Sequence, residues 1–201
     1  MPKIGILDYG AGNLFSLKCG LKKGGADVEI NETFSRRQDL DGVILPGVGN
    51  FGSAVNALES YREDLIEAVN AGLPFLGICL GVQMIFQESE EDKGCGLAFL
   101  EGNTVKLPLS VKSPHMGWNT LEILRSVKFL DGIDDRIWVY FVHSYYPKFN
   151  DDTALAATTN YGVKIPAVVA KRNIFGTQFH PEKSGSAGLR ILRNFIDICS
   201  R

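Results

Sequence analysis

The sequence predicts an α/β fold: a central, mostly parallel sheet flanked by helices, with an antiparallel extension in its second half. Three observations carry that expectation. Through the first half, short β-like apolar runs alternate with stretches of helical apolar spacing, the pattern of βαβ units. After about residue 95, strand-like runs follow one another with only turn signals between them. The composition, 45% hydrophobic and 22% charged in 201 residues, is too apolar for disorder. Size scaling gives roughly 9,300 Å² of accessible surface folded against roughly 32,000 Å² unfolded, so about 70% is buried, enough for one core. A single domain over residues 1–201 is the expectation.

Taken in order, Lys3–Asp8 reads as a strand, and Gly10-Ala11-Gly12 turns the chain. Asn13 is placed to cap a helix whose Leu14, Leu17 and Leu21 recur at helical spacing until Gly24-Gly25 stops it. Val28–Ile30 and Gly42–Leu45 are the next strands, the latter ending at Pro46. A helical pattern runs from Leu58 to Val69 and closes at Gly72-Leu73-Pro74. Phe75–Ile78 is an apolar strand leading directly into Cys79, after which Leu80, Met84 and Ile85 form a helix face. Thr104–Leu107, Leu121–Leu124, Trp138–Val142, Leu155–Thr159, Ala167–Ala170 and Ile174–Phe179 are the later strands. The end is helical, with Leu189, Leu192, Phe195, Ile196 and Cys199 on one face.

Several function classes fall away. With 21 Lys plus Arg against 23 Asp plus Glu, the net charge is −2, and no basic field exists to hold a nucleic-acid backbone. The start lacks the apolar run of a signal peptide, and no stretch approaches the ~18 apolar residues of a membrane span. Cysteines at 19, 79, 95 and 199 form no CxxC pair and have no histidine at metal-ligand spacing. Neither a disulfide framework nor a metal or cofactor is expected, and the free thiols suit a reducing cytoplasm.

Glycine is the outlying count, 22 of 201, and it concentrates in three turns after strands. In the first, Gly10-Ala11-Gly12, Phe15 stands where a dinucleotide fingerprint needs a third glycine, so a nucleotide site is disfavoured. The second, Pro46-Gly47-Val48-Gly49-Asn50-Phe51-Gly52, leaves backbone N–H groups free to face an anion. No Lys-Ser/Thr pair follows it, which argues against a Walker loop, while a phosphate nest and an oxyanion hole both stay open. The third, Gly77-Ile78-Cys79-Leu80-Gly81, has the small-x-nucleophile-x-small form of a nucleophile elbow with cysteine as nucleophile. A helix N-terminus behind the thiol would favour the thiolate. The alternative for Cys79 is a buried structural thiol, the reading that suits Cys19 and Cys199.

A thiol nucleophile needs a base, and the base needs an orienting group. The three histidines are His115, His143 and His180. His180 directly follows the strand Ile174–Phe179, with Glu182 two residues on and Pro181 between them fixing the backbone. Cys79, His180 and Glu182 make the economical triad.

In these residues the sequence resembles the class I (triad) glutamine amidotransferases. PGVG at 46–49, GICLG at 77–81 and HPE at 180–182 occur in that family's order and spacing, over essentially the whole chain. The segments His115-Met116-Gly117-Trp118-Asn119, Phe141-Val142-His143-Ser144-Tyr145 and His180–Ser184 resemble the branch formed by glutaminase subunits of imidazole glycerol phosphate synthase. So does Asp8-Tyr9-Gly10-Ala11-Gly12-Asn13. Val82 stands where the pattern has methionine, and Cys95 belongs to no pattern.

The resemblance implies the class I glutamine amidotransferase fold and glutamine as substrate. Oxyanion groups would come from Gly47, Val48, Gly49 and Leu80, and glutamine contacts from Gly49, Gln83, Glu91, His143, Ser144 and Tyr145. It also implies a separate (β/α)₈ cyclase as heterodimer partner, met through Asn13, Met116, Trp118, Asn119, Tyr140 and Lys183, with the aromatic contacts on loops. Two alternatives stay open: a paralogous glutaminase feeding another barrel synthase, and a non-catalytic protein on the same fold. The second usually lacks the cysteine, histidine or glutamate, and all three are present here.

Overall fold

A computed structural model describes residues 1–10, 12–36 and 39–200; Ala11 of the first glycine turn lies outside the described residues. In the first half, β1 (Lys3–Leu7), α1 (Leu14–Gly24), β2 (Asp27–Asn31), β3 (Gly42–Leu45), α2 (Phe51–Leu58), α3 (Arg62–Asn70), β4 (Phe75–Ile78) and the single turn α4 (Leu80–Gln83) follow one another. The second half runs through β5 (Glu88–Ser89), β6 (Asn103–Lys106), β7 (His115–Thr120), β8 (Glu122–Ile123), β9 (Trp138–His143) and β10 (Tyr145–Lys148). It ends with β11 (Leu155–Asn160), β12 (Lys164–Lys171), β13 (Ile174–Thr177) and α5 (Gly185–Cys199).

Among the described residues, eight strands form one sheet in the order β2-β1-β3-β4-β13-β12-β11-β8. The first five are mutually parallel, and the last three add antiparallel pairs. β10-β6-β5 and the β7–β9 ribbon stand as two small sheets beside it. Successive strand side chains point to opposite faces. Ile4, Ile6, Ile44, Leu76 and Ile78 therefore pack with Leu17 and Leu21 of α1 and Ile191, Leu192 and Phe195 of α5. Leu7, Val43, Leu45 and Phe75 face the other way, onto Phe51 and Leu58 of α2 and Leu65 and Val69 of α3. The accessible surface is 9334 Å².

Two local expectations are corrected. The helix expected over Leu58–Val69 begins only at Arg62, as α3; Leu58 ends a separate helix, α2, and a 3₁₀ turn at Glu59–Tyr61 joins the two. α2 starts inside the glycine-rich segment because Asn50 accepts the Ser53 N–H at 3.0 Å and caps it. β7 and β10 were not expected as strands, because Gly117 and Pro147 are strand breakers. Both form by pairing, β7 with β9 and β10 with β6.

The topology places the chemistry. β4 and β13 are parallel neighbours, pairing Ile78 with Thr177, so the residues that leave their carboxyl ends, Cys79 and His180, emerge side by side. The open end of a parallel sheet is where such folds place ligands.

Candidate active site

Cys79 is the junction between β4 and α4, with φ 55° and ψ −103°. A non-glycine residue in that region costs on the order of 1–3 kcal/mol and is held there by its surroundings. Its N–H donates to Thr177 at 2.8 Å, and its carbonyl accepts from Val82 at 3.2 Å. The elbow glycines are required by space. A Cβ at Gly81 would lie 1.8 Å from the Leu45 carbonyl oxygen, and one at Gly77 would lie 2.3 Å from that of Gly81. The thiol donates to the Val142 carbonyl at 3.5 Å, and Gln178 Nε2 donates to the sulfur at 3.8 Å. The helix behind Cys79 is a single turn, so its dipole is small.

The His180 side chain is 3% exposed and that of Glu182 is 5% exposed; Nδ1 meets Glu182 Oε1 at 2.8 Å. The other ring nitrogen, Nε2, is buried with no hydrogen-bond partner among the described residues, which leaves it available to a substrate proton. The imidazole pKa is raised to about 9. Burial alone would lower it, but interactions with Cys79 and then Glu182 outweigh that penalty. Because the folded value lies above the ordinary 6.5, the protonated ring stabilises the fold below that pH. This contribution is lost as pH rises through about 9. Glu182→Gln removes one of the two raising partners, so the alkaline limb of any His180-dependent activity moves to lower pH. A kcat/KM profile from pH 6 to 10 checks this, and an unmoved limb would contradict it.

A second pair of imidazoles has the opposite character. His143 Nδ1 donates to the Tyr145 carbonyl at 2.9 Å, which makes its Nε2 an acceptor. His115 Nδ1 then donates to it at 3.0 Å, and His115 Nε2 accepts from Asn119 Nδ2 at 3.3 Å. One carbonyl thereby sets both tautomers. His115 also stacks between Phe141 and Tyr161, with centroids 4.6 and 4.0 Å away. Burial lowers the pKa of His115 to about 4. Burial and then the neighbouring His115 lower that of His143 to about 3.

A cavity of about 220 Å³ opens beside Cys79, smaller than the ~300–1,000 Å³ of drug-sized sites. Val48, Gly49, Cys79, Leu80, Gln83, Glu91, His143, Ser144 and Tyr145, all singled out in the sequence, line it together with Pro114 and Val142, which sequence reasoning missed. Gln83 donates to the Tyr145 carbonyl at 2.9 Å and to Gln178 Oε1 at 3.3 Å. Both ring nitrogens of His143 are engaged within the chain, so the cavity meets its ring edge and backbone.

Glu91, half-buried in an otherwise exposed acidic run, is the one formally charged side chain in this lining. Its Oε2 accepts the Phe51 N–H at 2.8 Å, tying the cavity to the start of α2. Gly47 lies behind the lining, and its carbonyl accepts the Leu80 N–H at 3.3 Å. In this conformation that donor faces Gly47 rather than the cavity. Gln178 and Ser184 also escaped sequence reasoning. A buried amide within the apolar run Ile174–Phe179 was the available signal for the first. Ser184 Oγ accepts the Tyr140 N–H at 3.0 Å and donates to the His180 carbonyl at 2.6 Å, and the His180 N–H donates to the Tyr140 carbonyl at 2.9 Å.

The aromatic residues expected on loops are on strands instead. Met116, Trp118, Trp138 and Tyr140 occupy one face of the β7–β9 ribbon, because pairing sets alternate residues outward. Met116, Trp118 and Trp138 are 62%, 52% and 58% exposed, and Trp118 meets Tyr140 edge to face. Asn119 points inward, its amide divided between His115, the Asn160 carbonyl and the Thr120 N–H. Asn13 caps α1 through the Ser16 N–H at 3.2 Å, and Lys183 is exposed.

Comparison with known proteins adds three findings. The family described as glutamine amidotransferase class-I matches residues 5–199. A protein of Caldanaerobacter subterraneus subsp. tengcongensis named imidazole glycerol phosphate synthase subunit HisH is 47% identical, over 96% of this chain and 96% of its own. A protein of Halobacterium salinarum with the same name is 46% identical, over 97% and 93%. In structure, a glutamine amidotransferase from Thermotoga maritima superposes with a TM-score of 0.73 at 17% identity, covering 99% of this chain and 98% of that one, a likeness of fold.

Proposed function

Since the chain belongs to the class I glutamine amidotransferase family, we propose that it is the glutaminase subunit of an imidazole glycerol phosphate synthase, releasing ammonia from glutamine for histidine biosynthesis. The carrying observation is the meeting of Cys79, His180 and Glu182 beside a small cavity, in a chain 46–47% identical to subunits of that synthase. All of residues 1–201 would work as one domain, in the cytoplasm and without a cofactor. Among the described residues no helix is long and apolar enough to cross a membrane.

The parts assign the steps. With His180 holding the proton, Cys79 attacks the side-chain amide carbon of glutamine as the thiolate. The tetrahedral oxyanion is met by the Leu80 N–H and by an N–H of the Gly47–Gly49 strand. The intermediate collapses, the C–N bond breaks, and His180 gives the proton to the leaving ammonia. Water, deprotonated by His180, then hydrolyses the thioester to glutamate and restores the thiolate beside protonated His180. Glu182 holds the imidazolium throughout. Gly49, Gln83, Glu91, His143, Ser144 and Tyr145 hold glutamine, with Glu91 supplying the negative charge its ammonium group needs.

The ammonia goes to a (β/α)₈ cyclase seated on Asn13, Met116, Trp118, Asn119, Tyr140 and Lys183, where it is built into imidazole glycerol phosphate while an aminoimidazole carboxamide ribonucleotide is released. An exposed face of tryptophan, methionine and tyrosine is the composition that interface cores favour. The Leu80 N–H is engaged with Gly47, so the resting chain lacks one oxyanion donor. Such a donor is worth roughly 10²–10³ in kcat. Turning the Gly47–Val48 peptide would free it and present the Val48 N–H. Glutamate release by the isolated chain is therefore expected to be about a hundredfold slower than in the complex with cyclase ligand bound. Equal rates would remove the coupling. Histidine prototrophy after deletion of the gene would remove the pathway assignment.

A further inference from the structure

Tyr9 lies just beyond β1, and its hydroxyl is buried with no hydrogen-bond partner among the described residues. Buried hydroxyls are ordinarily paired, and one left alone calls for a reason. Its position supplies one. A Cβ built on Gly47 would fall 1.8 Å from this hydroxyl and 3.1 Å from Leu80 Cβ, so Tyr9 presses on the peptide segment that faces Leu80. Gly47 is glycine for room, since its φ is not in the left-handed region. The Gly47 carbonyl accepts the Leu80 N–H at 3.3 Å. When that carbonyl turns away, it leaves its one donor while still buried, and a buried carbonyl needs another. The Tyr9 hydroxyl is the neighbouring donor without a partner. Burial and then the nearby Cys79 push the phenol pKa well up, so the proton stays in place for donation.

We propose that Tyr9 is a positioning residue for the oxyanion strand, its hydroxyl taking over the Gly47 carbonyl when the Gly47–Val48 peptide turns to free the Leu80 N–H. The unpaired hydroxyl is then the vacant half of a two-position latch. Gly47 is paired with Leu80 at rest and with Tyr9 when the site is assembled. This rests on the glutaminase reading above.

The test is Tyr9→Phe, which deletes only the hydroxyl, measured in the complete complex with glutamine and cyclase ligand. Losing a hydrogen bond made only in the assembled state lowers stimulated kcat about tenfold with KM for glutamine unchanged. Thermal unfolding of the variant chain occurs at the parent temperature or above it, because the resting state loses no hydrogen bond. A packing role moves the two readouts together, so a lower kcat with a lower Tm overturns the proposal. A stimulated kcat within twofold of the parent also overturns it, as does a change confined to KM. A parent complex that releases no glutamate at all removes the glutaminase reading itself, and the role of Tyr9 with it.

Discussion

In Cys79→Ala, glutamate release by the complex falls about 10⁴- to 10⁶-fold, the range seen when a nucleophile acting in a unit with its base is removed. Synthesis by the cyclase from added ammonia persists, because the change is confined to this chain. The expectation is large because no other side chain can replace the thiol. Cys19 and Cys199 lie within helices, and Cys95 is exposed in the loop after β5. The backbone at position 79 is held by hydrogen bonds of its own, its N–H to the Thr177 carbonyl and its carbonyl from the Val82 N–H, which any residue there keeps. Alanine therefore leaves the fold and the cavity nearly unchanged, and the loss reads on chemistry alone. A coupled glutamate assay decides it. Activity within a hundredfold of the parent would dismiss Cys79 as the nucleophile.

The second large effect is on stability. Gly81→Ala places a methyl group 1.8 Å from the Leu45 carbonyl oxygen, a backbone atom of the strand beside β4. Unlike a flexible side chain, that atom cannot turn aside, so the turn behind the nucleophile must move away from the sheet. We expect a loss of about 4 kcal/mol or more, near the upper end for single substitutions. For a chain of this size that lowers Tm by roughly 8–16 °C, which circular dichroism measures directly. A Tm within 3 °C of the parent would show that the elbow has slack the packing does not reveal.

How much of this was legible beforehand depended on whether a feature was local. The strands β1 to β4 and the helix α1 are legible because apolar runs, caps and glycine stops act over a few residues, as at Asn13 and Gly24-Gly25, whereas α2 and the break before α3 are not. Cys79, His180 and Glu182 could be picked out because an elbow and a His-Pro-Glu run carry their own signatures, and strand order then sets them adjacent. The aromatic ribbon was misplaced onto loops because β7 exists only through pairing with β9, and its Gly117 argues against a strand when read alone. The directed chain Asn119–His115–His143 joins residues on two strands, and its tautomers depend on a carbonyl at Tyr145. Nothing in the local sequence carries that information. Gln178 and Ser184 act through partners far along the chain and were invisible for the same reason.

That directed chain has a consequence for how the protein responds to acid and base. The chain contains three histidines, and an ordinary histidine exchanges its proton near pH 6.5. Here two hold off their protons until about pH 4 and 3, and the third keeps its proton until about pH 9. No imidazole of this protein therefore buffers near neutrality. At neutral pH His115 and His143 therefore stay uncharged, and His180 alone of the three rings carries the proton that the ammonia chemistry moves.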